Sequence, residues 1–295
     1  MSNVFSVYLA LRNSPAVLRE FIDATAQRTG FRRELIEKDL YCSVLLERLA
    51  GELPSHIVFK GGTCLSKVHA DFYRLSEDLD FAADLPPGAS RTTKRALIES
   101  AKRTWTAMVK DPLPGITEAV PLKGANESTQ YVGAWVYRSL ISGSEEKVKV
   151  EFGLREPLLL PPEEKPAKTI LLNPMSGRGH LPPFTVRVMA FQEVWAEKVR
   201  AALTRKGPAI RDFFDLDHAL QRSALKLDDE RFVEMVRKKL AVPGNDPFSL
   251  SGEKFAVLKQ QQEGQLRPVL RALEYEAFEL ERVWRQLQLL TERIS

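Results

Sequence analysis

Apolar positions along this chain repeat with two different periods, a helical one over most of its length and a two-residue one in parts of the stretch 56–154. In "SPAVLREFIDATAQRTG" (14–30), Val17, Leu18, Phe21 and Ile22 form a stripe; Ser14 is a candidate cap, Pro15 suits the first turn and Gly30 ends the pattern. "FRRELIEKDLYCSVLLERLAG" (31–51) repeats that logic. "HIVFK" (56–60) then reads as a short apolar strand, "GGTCLSKVHADFY" (61–73) as a turn running into a helix, and "SEDLDFAAD" (76–84) as a second strand. Residues 91–110 predict a helix with six Lys or Arg and one Glu.

Prolines and glycines mark 111–130 as a loop, after which "YVGAWVYRSLI" (131–141) and "KVKVEFGL" (147–154) flank the turn "SGSEE" as a hairpin. Seven prolines between 156 and 183 predict an irregular connection. Helical patterns follow at 189–207, 208–223, 228–240 and about 254–292. The expected fold is α+β: a mixed-sheet core with N-terminal helices (1–155), a Pro-rich connection (156–187) and a helical C-terminal domain (188–295).

A length of 295 residues with 44% hydrophobic content suits about two domains. No run of about 18 apolar residues is available to span a bilayer, and "MSNVFSVYLALRNSPAVL" has neither the basic region nor the cleavage site of a signal peptide, so no membrane association and a cytoplasmic location are expected. Cys42 and Cys64 are too few for a disulfide framework or a zinc site and read as small core residues. The net charge of +4 is compatible with a polyanionic partner, and the basic helix 91–110 with Trp105, together with Arg200, Arg205 and Lys206, offers phosphate-contacting charge.

Candidate chemistry concentrates in "VFKGGTCLSKVHADFYRLSEDLDF" (58–81). Asp78 and Asp80, two apart on a strand, share a face and lie about 6.6 Å apart along the chain. Such carboxylates repel unless a cation joins them, and Mg²⁺, with oxygen ligands and retained waters, suits the pair. Gly61 and Gly62, between a strand and a helix, let backbone N–H groups approach a phosphate; Thr63 adds a hydroxyl and Lys60 a cation. Alone, either piece is an ordinary turn or a solvated strand edge. In the order strand, glycines, helix, acidic strand, they favour a site. A haloacid-dehalogenase-type phosphatase would need an apolar approach to its first Asp, where "RLSE" stands, and a glycosyltransferase D-x-D leaves the double glycine unexplained.

The same stretch resembles the GG[ST], then D-x-D, signature of the nucleotidyltransferase superfamily, specifically of AbiEii-type toxins of bacterial toxin–antitoxin systems. "IEKDLY" upstream, and "AEKVRAALTR" and "RDFFDLDHAL" downstream, are similar to further motifs of those proteins, in order from about residue 30 to 220. The resemblance implies a nucleotidyltransferase-like core, an NTP substrate, Mg²⁺ held by Asp78 and Asp80, active-site roles for Lys198 and Asp212, a tRNA 3′ end as acceptor and a cognate antitoxin as partner.

Periodicity bears on the downstream residues independently. Lys198 interrupts the stripe Phe191, Val194, Trp195, Val199, Ala202, Leu203, so it either snorkels or faces phosphate or a carboxylate. Asp212 borders the stripe Phe213, Leu216, Leu220 and either pairs with Lys198 or only favours its helix N-terminus; Asp215 and Asp217 read as solvated or local partners. On "KVKVEFGL", Glu151 shares a face with Lys147 and Lys149, and it either supplies the third acid, a metal ligand beside the aspartates, that the resemblance implies or neutralises its lysine neighbours. The expected activity is transfer of a nucleoside monophosphate to RNA; the alternatives are a protein or small-molecule hydroxyl as acceptor, or a non-catalytic RNA-binding module.

Overall fold

Pro15 begins α2 (Pro15–Thr29), and Gly30, at φ 77°, closes it by donating its N–H to the Ala26 carbonyl at 2.8 Å. α3 (Arg33–Glu52) follows, and both are preceded by α1 (Asn3–Arg12), which the sequence reading did not anticipate. Its signal is Val4, Tyr8 and Leu11, all buried at helical spacing, with the Tyr8 hydroxyl donating to the Pro114 carbonyl at 2.6 Å.

The computed structural model describes residues 3–126, 129–222 and 225–294, and the chain divides into two units, Met1–Met189 and Ala190–Ser295. Unit 1 is built on a seven-stranded mixed sheet in the order β3-β4-β5-β2-β1-β7-β6. Its strands are β1 (Ile57–Lys60), β2 (Leu79–Ala83), β3 (Ile116–Ala125), β4 (Gln130–Arg138), β5 (Glu145–Gly153), β6 (Glu163–Ala167) and β7 (Phe184–Val188). β2 pairs parallel with β5 and β1 parallel with β7; the other neighbours are antiparallel. A helical turn, α4 (Gly61–Cys64), and a π-helical turn, Leu65–His69, leave the end of β1; α5 (Arg91–Lys110) starts at Ser90, whose hydroxyl accepts the Thr93 N–H at 3.1 Å.

Strand parity decides which face is covered. Phe59, Phe81 and Phe152 are cross-strand neighbours, with Phe59–Phe81 and Phe81–Phe152 ring centroids 5.4 and 5.2 Å apart, on the face that packs the core. α5 joins this face: Trp105 lies 4.9 Å from Trp135 and fills the space where a Cβ on Gly133 would stand.

Two stretches read as irregular are strands. β3 lies inside the predicted 111–130 loop, and β6 and all of β7 but Val188 lie inside the Pro-rich 156–187 connection. β3 and β6 occupy the two sheet edges, where a strand tolerates proline because one row of N–H groups has no ladder to complete. Register shifts between Glu118 and Val120 and between Val120 and Lys123 absorb Pro121. The helix predicted to reach residue 73 ends at His69, and Asp71 and Phe72 take positive φ of 48° and 56°.

Unit 2 contains α6 (Phe191–Thr204), α7 (Ile210–Gln221), α8 (Glu230–Leu240), α9 (Gly252–Gln261), α10 (Ala272–Ala277) and α11 (Leu280–Ile294). Its apolar faces meet around Val194, Phe213, Val236, Val283 and Leu287, all buried. No described helix is long and apolar enough to cross a membrane. The expected architecture is present: a mixed sheet with helices at both ends of the chain.

Candidate active site

Sheet register places Lys60, Asp80 and Glu151 side by side on adjacent strands β1, β2 and β5, on the face opposite the phenylalanines. Gly61 follows at once with φ 81°, a left-handed conformation that glycine adopts without strain. A Cβ there would collide with the Asp80 carboxylate, so the missing side chain is what lets Asp80 lie against the turn. A Cβ on Gly62 would meet Arg74 Nη2 at 2.8 Å and Ser76 Oγ at 3.0 Å. The buried Arg74 guanidinium therefore backs the turn, a cation that the sequence reading passed over.

The Thr63 hydroxyl donates to the Asp78 carbonyl at 2.5 Å and fixes α4 to the entry of β2. Asp78 is exposed, one residue before β2, and Asp80 is half-buried within it. Burial, then the charge of Glu151 and that of Asp78, push the Asp80 carboxyl up from 3.8 to about 6, against the pull of Lys60 and Lys149. Lys149 meets the Glu151 carboxylate at 2.8 Å; burial lowers its pKa, but that hydrogen bond and the charges of Glu151, Asp80 and Asp78 raise it further.

Among the described residues, no group of three or more His, Cys, Asp or Glu is placed to hold a metal ion. The expected set of Asp78, Asp80 and Glu151 is not among such groups, and Glu151 is turned to Lys149. The donors nevertheless suit a divalent hard cation. Mg²⁺ is commonly held by one or two carboxylates, with substrate phosphates and water completing its shell, and the raised Asp80 carboxyl marks a place where added positive charge is favourable.

The "IEKDLY" motif buttresses this row. Glu37 accepts the Leu140 N–H at 2.7 Å and the Ser139 hydroxyl at 2.5 Å, clamping the β4–β5 turn. Lys38 pairs with Glu77 at 2.8 Å, next to Asp78. Asp39, buried, meets fully enclosed Lys67 at 2.5 Å and accepts the Ile170 N–H at 3.1 Å; Lys67 also donates to Ser43 Oγ at 2.7 Å. Lys67 lies on the π-turn after α4, so α3 holds the glycine turn through a buried ion pair.

In unit 2, Lys198 Nζ lies 2.8 Å from Asp212 Oδ1 and 2.8 Å from Asp215 Oδ2, and Arg205 meets Asp212 Oδ2 at 2.9 Å. The expected Lys198–Asp212 pair is formed. Asp215 and Asp217, which the sequence left as solvated or local, are both buried: the first on Lys198, the second on Arg282 at 2.7 Å. The sequence signal for the first was Asp215 lying three residues after Asp212, one turn along the same helix face.

Trp105 is buried, its indole N–H donating to Glu118 at 2.5 Å, and α5 lies on the sheet face opposite Asp80. Cys42 and Cys64 are buried free thiols, as their composition suggested.

Comparison with known proteins gives the geometry a context. A solved nucleotidyltransferase candidate from H. pylori is 16% identical, with a TM-score of 0.47 and 90% of this chain aligned to 96% of that one. JHP933 from Helicobacter pylori is also 16% identical, with a TM-score of 0.49 and coverages of 90% and 93%. No curated protein matches. The family model described as "Nucleotidyl transferase AbiEii toxin, Type IV TA system" matches residues 44–289, which include the glycine turn, the D-x-D strand, Glu151 and the Lys198–Asp212 pair. The chain belongs to the AbiEii nucleotidyltransferase toxin family.

Proposed function

We propose that this protein transfers a nucleoside monophosphate from an NTP to RNA, with a tRNA 3′ end as acceptor, and so blocks translation in the cytoplasm until a cognate antitoxin neutralises it. The observation that carries this reading is the Lys60–Asp80–Glu151 row beside a glycine turn, with an Asp80 carboxyl poised for added positive charge. Gly61 and Gly62 let the backbone approach the triphosphate, and Lys60 and Arg74 place cations beside and behind it. Asp78 and Asp80 would hold Mg²⁺, which supplies charge neutralisation on the phosphate oxygens when bound. The acceptor hydroxyl oxygen forms a bond to the α-phosphorus, the bond to pyrophosphate breaks, and Glu151 takes the hydroxyl proton. Lys198, held by Asp212 and Asp215, is assigned a role in the transfer.

The test incubates the protein with each α-labelled NTP, Mg²⁺ and total cellular RNA, alongside Asp80→Ala. Label in RNA with the parent only is expected. Label in protein or a small molecule would move the acceptor assignment, and no label anywhere would reduce the chain to a binding module.

A further inference from the structure

On β3, β4 and β5 the site face carries a regular pattern, with Lys123, Lys147 and Lys149 exposed, Val132 and Val136 half-buried and Ala134 buried between them. On β5, Val148, Val150 and Phe152 point into the core at 1%, 0% and 0% exposure, while Lys147 and Lys149 on the other face are exposed and Glu151 is half-buried. β4 continues the alternation, with Tyr131, Trp135 and Tyr137 inward and Val132, Ala134 and Val136 on the site face. Cross-strand pairs extend the surface to the β3 edge: Asp80, Glu151, Val132 and Lys123 form one row, Lys149, Ala134 and Val120 the next, and Lys147, Val136 and Thr117 the third.

We infer that this face is the track on which the single-stranded end of the RNA acceptor lies as it reaches Asp80 and Glu151; the inference rests on the RNA reading proposed above. Charge is the first reason. Lys123, Lys147 and, beyond them, Arg138 have no ion-pair partner among the described residues, and the carboxylates of the face stand at its two ends, Asp80 and Glu151 at the catalytic one and Glu145, cross-strand from Arg138, at the other, with the lysines between them. Continuity is the second, since the row that ends at Lys123 begins at Asp80. Width is the third: three strands at about 4.8 Å spacing make a strip suited to one polynucleotide strand. The floor of Val132, Ala134 and Val136 carries no aromatic ring for base stacking and no large anchor for a protein partner. Contacts here are to phosphates, so this track sets affinity and register without reading sequence.

The experiment measures binding of a labelled single-stranded oligoribonucleotide by anisotropy across salt concentrations, for the parent, for Lys123→Gln/Lys147→Gln, and for Arg95→Gln/Arg103→Gln on the back-face helix α5. Removing two phosphate contacts lowers the salt slope by about 1.4, so between roughly 50 and 200 mM salt the parent weakens about sevenfold more than the front-face variant. The KM for RNA rises in that variant while kcat and the KM for NTP hold, and the back-face variant behaves as the parent. Parent transfer to RNA with unchanged slope and KM in the front-face variant would overturn the track and leave the transferase reading standing. Absence of both RNA binding and RNA labelling by the parent would overturn that reading, and the track with it. Label confined to protein and lowered by the front-face variant would make the face a protein-docking surface, against the inference.

Discussion

Replacing Asp80 by Asn should make the metal-free protein more stable at pH 8 while abolishing transfer. In the folded chain the Asp80 carboxyl is raised from 3.8 to about 6, chiefly by burial and then by Glu151. Between those two values the folded protein keeps a proton that the unfolded chain has released, so stability falls as pH rises through that window. Above it, ionised Asp80 costs the fold its full penalty. At 1.36 kcal/mol per pKa unit, the displacement from 3.8 to about 6 corresponds to at most about 3 kcal/mol. Asparagine keeps the shape and removes the charge, so the variant gains up to that amount at pH 8 and nothing at pH 4.

Thermal unfolding with a chelator present reads this directly. For a unit of this size 1 kcal/mol moves the midpoint by about 2–4 °C, which gives the variant a midpoint up to about 6–12 °C higher at pH 8, converging with the parent near pH 4. Mg²⁺ in excess should then stabilise the parent and leave Asp80→Asn nearly unmoved, because in the proposed function only the parent binds it appreciably. An equal gain at both pH values would mean that Asn improves packing, and no gain at pH 8 would mean that Asp80 is not held in an unfavourable charged state. Either result refutes the electrostatic account of this row.

Three further outcomes follow from the geometry. Gly61→Ala forces a side chain into φ 81° and into the Asp80 carboxylate, costing about 1–2 kcal/mol for the left-handed conformation alone; denaturation shows this modest loss, while transferase assays show a much larger one. Lys67→Met leaves Asp39 charged and buried, so urea unfolding should report about 3–5 kcal/mol lost, with much of it restored in Lys67→Met/Asp39→Leu; full stability in the single variant would show the pair to be dispensable. Lys198→Ala should abolish transfer and destabilise unit 2, and adding Asp215→Asn should recover stability but not activity, which separates the structural from the chemical share of that lysine.

The parts of this molecule that could be read from its sequence are those whose cause is local. Pro15 and Gly30 bracket α2 through backbone geometry, and Asp80 and Glu151 emerge on one face because strands alternate. β3 and β6 escaped because tolerance of proline depends on being at a sheet edge, a fact about neighbours that no window of sequence contains. The Lys198–Asp212 pair was legible because an interrupted apolar stripe needs an explanation, whereas Lys239, in the basic last turn of α8, carries no such signal and is fully buried against Glu193 at 2.7 Å.

The same distinction sorts the motifs of the candidate site. In the proposed function the glycine turn and D-x-D strand face the chemistry, so their residue types follow from what phosphate and cation would require. Glu37, Lys38 and Asp39 pair within the protein, with the β4–β5 turn, Glu77 and Lys67 in turn. A buried ion pair is a poor source of net stability, since well-packed apolar residues often do as well. Its advantage is directional. An apolar contact would let α3 slide on the turn after α4, whereas Asp39, fixed on Lys67 and the Ile170 N–H, with Ser43 also holding Lys67, admits one arrangement. Gly61 has to meet the Asp80 carboxylate with no room for a single carbon atom, and a support that fixes position is what such a fit requires.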